Sequence, residues 1–296
     1  MAKLFYPHFR MKTFKNASKV RQVVYSVMIA LAVTIPWVYS QSADSITILH
    51  TNDTHSQVEP LEMGKRDQFA AGYARRMGFV QQQREIDPDL LLLDAGDFCQ
   101  GTPYFNFYHG RIEVDAMNRM HYDAITLGNH EFDNGVDTLA AVLREAQFAV
   151  VCANYDVSHS PLEGIVKPYT VIRRAGLRIG IFGLGVDPTG LVAEKNFAPL
   201  RYLPPLPIAQ EMANTLREKE RCDIVICLSH MGTHGQENSD IWLAQNTYNI
   251  DVIIGGHTHK IVENLQVANL NGDSVLLAQS GKAGARIGKI LLKTDQ

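Results

Sequence analysis

From residue 45 onward, short apolar runs alternate with longer segments of helical period. Residues 45–50 alternate apolar and polar positions as a strand does, and residues 89–94 (DLLLLD) form a continuous run of the kind buried on both faces. Further strands are expected over residues 123–127, 148–153, 222–229 and 249–254, with hairpin partners at 169–174 and 177–183 around Ala175-Gly176. Residues 69–86 carry an approximate apolar face at Ala71, Ala74, Met77, Phe79 and Val80, which predicts a helix. Residues 110–120, 208–221, 238–245 and the stretch from Asn134-Gly135 to about Ala146 also read as helices. Residues 261–292 read as three strands, separated by Asn271-Gly272-Asp273 and Ser280-Gly281-Lys282. Strands alternating with helices, then late hairpins, predict an α/β layered domain over residues 44–296, built on a mixed sheet or two packed sheets.

The first 42 residues follow a different pattern. Lys3, Arg10, Lys12, Lys15, Lys19 and Arg21 are accompanied by no acidic residue, an uncharged run spans residues 23–38, and small and polar residues follow at 40–43. A basic region, an apolar region and small residues in that order make a secretory signal pattern, with Met11 as an alternative start. The run is long for a signal core and short for a full span, so an uncleaved anchor at residues 23–38 stays open beside a cleaved signal peptide. Either way the expected location is periplasmic or otherwise extracytoplasmic, and residues 1–42 are set apart from the fold.

That separation changes the charge. The whole chain has 28 basic and 31 acidic residues, formally −3. Without the six basic residues of the leader, 22 face 31, formally −9. So acidic a domain is unsuited to a nucleic-acid polymer, and one that handles anionic substrates requires bound cations. The four cysteines, Cys99, Cys152, Cys222 and Cys227, show no metal spacing. Cys152, Cys222 and Cys227 are expected as buried small hydrophobes, whereas Cys99, close to Asp97, is a candidate for oxidation.

Five runs end alike, in a small or turn residue followed by a ligand-type side chain. They deliver Asp53 with His55, Asp97, Asn129 with His130, His230, and His257 with His259. Singly, each has an ordinary explanation. Asp53-x-His55 is a common loop feature, Asp97 can cap a helix, and Asp133 can cap the helix beginning near Gly135. Together they imply a convergent site, because side chains at the strand ends of an α/β sheet share one edge. Seven oxygen and nitrogen donors with no cysteine exceed one four-coordinate ion and suit two ions about 3.5–4 Å apart with a bridging carboxylate. Mixed carboxylate and imidazole donors leave zinc, manganese, cobalt and iron all open.

The ordered blocks TNDTH, GDFCQGTP, GNHEFD, SHMGTH and GGHTH resemble those of the calcineurin-like metallophosphoesterases. Within them the chain looks like the catalytic domain of the 5′-nucleotidase/UDP-sugar hydrolase family, over nearly all of residues 45–296. The resemblance implies a four-layer α/β/β/α sandwich of two mixed sheets flanked by helices. It implies one ion held by Asp53, His55 and His259, a second held by Asn129, His230 and His257, and Asp97 bridging them. His130 matches the family's catalytic histidine and Asp133 the carboxylate that orients it. The expected reaction is release of phosphate from a nucleotide by a metal-activated hydroxide. Phosphodiester or pyrophosphate cleavage of 2′,3′-cyclic nucleotides or UDP-sugars is an alternative on the same ions. A non-catalytic binding protein is disfavoured because every ligand position is intact. Family members carry a second, substrate-binding domain after a helical linker. This sequence stops at Gln296, where that linker would begin, which leaves open a separately encoded partner that supplies the domain, a different substrate, or a truncated sequence.

Overall fold

In the computed structural model, which describes residues 45–62 and 70–293, these runs resolve into two six-stranded sheets and a small ribbon. The strands in chain order are β1 (Ser45–Thr51), β2 (Leu91–Asp94), β3 (Ala124–Ile125), β4 (Ala149–Val151), β5 (Tyr155–Asp156), β6 (Val166–Lys167) and β7 (Tyr169–Arg174). They continue as β8 (Leu177–Leu184), β9 (Arg201–Tyr202), β10 (Ile224–Ser229), β11 (Val252–Gly255), β12 (Ile261–Ala268), β13 (Ser274–Ser280) and β14 (Gly288–Lys293). The helices are α1 (Tyr73–Ile86), α2 (Pro103–Tyr108), α3 (Arg111–Met120), α4 (Val136–Leu143), α5 (Glu194–Phe197), α6 (Pro205–Asn214) and α7 (Asp240–Gln245).

The first sheet runs β14-β1-β2-β3-β4-β6 and is parallel except for β14. The second runs β12-β13-β11-β10-β8-β7 and is parallel except at its two edge strands. The period-two alternation of side chains sorts each strand between two cores. Leu91 and Leu93 face an inter-sheet core with Ile179, Ile181, Ile226, Leu228, Val252 and Ile254. Leu90 and Leu92 face the opposite way, into a core with residues of α1, α3 and α4. On the far side, Phe182, Val225, Cys227 and Ile253 pack against Ala209, Ala213 and Leu243 of α6 and α7. The result is the expected α/β/β/α sandwich. Each fully buried leucine or isoleucine contributes about 1.5–3 kcal/mol, so the apolar inter-sheet layer anchors everything at its edges.

Several elements differ from the sequence pattern for identifiable reasons. The run at 123–127 keeps only Ala124 and Ile125 in the ladder, because the chain turns away to present Asn129. The last three strands do not form one meander, since β14 leaves β13 and pairs antiparallel with β1. Helix α1 keeps Val80 and Met77 of the expected face against the core, but Ala74 is exposed and Phe79 is 39% exposed, while Arg76 is buried, its guanidinium 4.5 Å over the Tyr73 ring. After Asn214 the expected single helix widens into a π turn over Thr215–Lys219. All four cysteines are buried and free. Burial first, then the nearby Glu131, Glu113 and Asp97, pushes the Cys99 thiol well up, so the thiolate that oxidation requires is disfavoured and the expected reactivity is not borne out. The expected leader lies outside the described residues; among these, no helix is long and apolar enough to cross a membrane.

His50, which had no site role, is 2% exposed at the end of β1, with Nδ1 unpartnered. Burial pushes its pKa from 6.5 down to about 4. The neutral ring therefore favours folding above pH 6.5, and that contribution is lost as the pH falls through 6.5 toward 4, by about 3 kcal/mol at most. Urea unfolding of His50→Phe is expected to lose less stability between pH 7 and pH 4.5 than the wild type; equal losses would mean that His50 does not titrate on unfolding.

Candidate active site

Three neighbouring parallel strands of the first sheet and two of the second end at the same edge, and the donors leave from those ends. Asp53 and His55 follow β1, Asp97 follows β2, Asn129 follows β3, His230 follows β10, and His257 and His259 follow β11. The turns are sharp. Asp53, His55, Asp97, His257 and His259 all adopt positive φ, between 46° and 69°. Left-handed backbone at non-glycine residues costs about 1–3 kcal/mol each and persists only where the surroundings over-determine it.

These turns bring the donors together. Asp53, His55 and His259 form one group that can hold a metal ion, and Asp97, His230 and His257 form another, the ligand atoms in each lying within 4.8 Å of one another. His55, Asp97 and His130 form a third, so the groups overlap in a single cluster. Asn129 joins through its Oδ1, 3.1 Å from His257 Nδ1. Asp133 is not the helix cap that the sequence left open. Gly135 is the residue before α4, and Asp133 Oδ2 instead lies 2.9 Å from His130 Nδ1. All nine residues singled out in the sequence thus gather at one edge of the sandwich.

The donor set fits a divalent cation. His230 Nε2 is buried with no properly angled hydrogen bond, although Asp97 Oδ2 is only 3.0 Å away. The Nε2 atoms of His55 and His259 face each other at 3.0 Å. His230 Nδ1 lies 2.6 Å from the Ala95 carbonyl, which accepts its proton and leaves Nε2 for the cluster. Space is reserved as well: a Cβ on Gly128 would overlap Asp97 Oδ1 and come within 2.7 Å of His230 Nε2.

Charge follows the same arrangement. Burial is the largest influence on Asp97 and on His230 and opposes charge on both, but their mutual contact and nearby groups prevail. Asp97 is held well below the usual carboxylate range and His230 is raised to about 10. Burial lowers His55 and His257, keeping them neutral and able to coordinate. The hydrogen bond that His130 donates to Asp133 raises the His130 pKa, against an opposing effect of burial.

Some residues around the cluster gave no signal of their own in the sequence. Asn52 Oδ1 accepts from the Ser280 N–H at 2.8 Å and its hydroxyl at 2.7 Å, while Nδ2 donates to Asp53 Oδ2 at 2.5 Å and the Gly281 carbonyl at 2.7 Å. Asp240 accepts the hydroxyls of Ser229 and Thr233 behind the turn after β11. Gln279 Oε1 accepts the Thr258 hydroxyl at 3.0 Å and the Lys260 N–H at 2.5 Å. Their partners lie up to 229 residues away, so nothing in the local sequence announces them.

A two-sheet sandwich with carboxylate, amide and imidazole donors converging from its parallel strand ends defines a class of metal-centred hydrolase folds. The sequence profile of the calcineurin-like phosphoesterases matches residues 46–261. The chain belongs to that family. It is 35% identical over 250 residues to a probable 5′-nucleotidase of Treponema pallidum, covering 81% of this chain and 41% of that protein. It is 30% identical over 283 residues to the trifunctional nucleotide phosphoesterase of Bacillus subtilis, covering 85% of this chain and 18% of that one. Among solved structures, a 5′-nucleotidase precursor from Thermus thermophilus superposes with a TM-score of 0.77 at 34% identity, over 85% of this chain and 52% of that chain. The chain spans about half or less of the length of these relatives.

Gly128→Ala tests whether the donors have to approach this closely. Its Cβ displaces Asp97 or His230, so zinc retained after dialysis is expected to fall at least tenfold while the circular dichroism of the fold persists. Wild-type zinc retention would show that the turn has room to spare.

Proposed function

We propose that this chain is a phosphoric ester hydrolase with a dinuclear metal centre, acting as a 5′-nucleotidase on small nucleotide substrates. The observation that carries the proposal is the overlap of the three donor groups through Asp97 and His55, which suits two ions better than one. Asp53, His55 and His259 would hold one ion, Asn129, His230 and His257 the other, and Asp97 both. Manganese, zinc, cobalt and iron all suit these donors. Divalent ions held there supply an activated water and neutralise charge on the phosphoryl oxygens.

The chain's own residues do the rest. Asp133 binds one nitrogen of the His130 ring, which fixes the ring orientation and favours its charged form. The other ring nitrogen is then available to donate a proton to the departing oxygen. The turns after β1, β2 and β11 are held in strained conformations before substrate arrives, so little reorganisation remains for the reaction. Diester or pyrophosphate cleavage requires the same donors and is the second outcome of the assay below. We further propose export, on the charge pattern of residues 1–42, and selection of the nucleoside by a substrate-binding domain of the kind the resemblance implies.

Phosphate release by the purified, metal-stripped chain is the test, with manganese, zinc or cobalt restored and AMP set beside bis(p-nitrophenyl) phosphate. Metal-restored hydrolysis of AMP is the expected result. Cleavage of the activated diester alone would place nucleotide selection on another chain or make the substrate a diester. Silence on both with metal bound would overturn the proposal. Asp97→Ala should abolish turnover and weaken binding of both ions together. His130→Ala should lower kcat on AMP by about 10²–10⁴-fold with metal content unchanged; loss of metal there would make His130 a ligand instead.

A further inference from the structure

Glu131 has no part in the reaction described so far, yet its side chain is 2% exposed beside the donor cluster. Burying a carboxylate is costly unless its oxygens are satisfied, and here both are, by backbone groups alone. Oε2 accepts the N–H of Asp97 at 3.0 Å and that of Gly128 at 2.6 Å. Oε1 accepts the N–H of Cys99 at 3.1 Å. In the other direction, Asp97 Oδ1 accepts the N–H of His130 at 2.9 Å. Three hydrogen bonds therefore join the turn after β2 to the turn after β3, and the bond from Gly128 closes the second turn on itself.

The join falls where the sheet stops helping. The β2–β3 ladder aligns only Leu93 with Ala124 and Asp94 with Ile125. Both turns then leave the sheet, and the first carries Asp97 at φ 57°, a conformation its own backbone disfavours. A bond to the Asp97 amide holds that conformation. A bond to the Gly128 amide draws in the position at which a Cβ would overlap the Asp97 carboxylate.

We infer that Glu131 is a positioning residue, a single buried carboxylate that sets the spacing between Asp97 on one turn and Asn129 with His130 on the next. The inference rests on the proposed role of Asp97, but its first readout requires neither metal nor substrate.

Glu131→Gln is the decisive variant. It keeps the size of the side chain, but its NH2 has to face either the Cys99 N–H or the Asp97 and Gly128 pair. In the metal-free protein, amide exchange at Asp97, Cys99 and Gly128 is expected to rise about tenfold. By calorimetric titration, zinc affinity should fall about 10–100-fold. At saturating metal, kcat on AMP should fall with KM within about twofold of the wild type, because an interaction that acts through Asp97 and His130 affects turnover rather than ground-state binding. Faster exchange together with wild-type zinc affinity would overturn the inference, reducing Glu131 to a local strut, as would unchanged exchange. If Glu131→Gln does not fold, Glu131→Asp is measured in the same way, with smaller losses of the same sign expected and wild-type values again contradicting the inference. If the wild type hydrolyses neither ester, the exchange and affinity readouts still decide the role of Glu131, separately from the proposed reaction.

Discussion

The molecule turns on one approach, a buried carboxylate from the first sheet set 3.0 Å from a buried imidazole of the second. Asp97 and His230 are both buried, and each is held charged by the other against the effect of burial. Such a contact has to be imposed by something rigid. The inter-sheet core, with Leu91, Leu93, Ile226 and Leu228 fully buried, supplies that rigidity. It fixes the distance between β2 and β10, and with it the distance between the residues that follow them. A divalent cation held by this pair would relieve the same electrostatic tension, so the folded donors are preorganised for one.

Crowding at that edge explains much of the surrounding sequence. Two chains of turns meet where each carries several donors, so small residues are required where backbone meets side chain. Gly128 against Asp97 and Gly256 against the Ala95 carbonyl and His230 show this directly. The donors themselves sit on left-handed backbone at Asp53, His55, Asp97, His257 and His259. The strain is distributed over several turns and held by side chains that never reach the cluster's centre. Asn52 ties the Asp53 turn to Ser280, and Gln279 secures the turn that bears His259.

Much of the architecture was legible in the sequence because buried parallel strands write themselves as continuous apolar runs. DLLLLD and CDIVICLS correspond to β2 and β10, and alternate side chains of each divide between the inter-sheet core and an outer core as the pleat requires. The donor residues were legible for a related reason: each follows such a run immediately. Long-range choices were not legible. Residues 288–293 carry the same pattern whether they pair with β13 or, as they do, with β1. Arg76 gave no sign that it would be buried, since its partners are the Tyr73 ring and the Gln57 carbonyl. Glu131 was written inside a recognised block, but its partners are backbone amides, which leave no mark on residue identity.

The central claim is that the convergent donors form one centre for two ions shared by Asp97. Anomalous difference maps from crystals grown with manganese test it most directly. The account predicts two peaks about 3.5–4 Å apart, one beside Asp53, His55 and His259 and the other beside Asn129, His230 and His257, with the Asp97 carboxylate between them. A single peak, or two peaks that Asp97 does not touch, would contradict it.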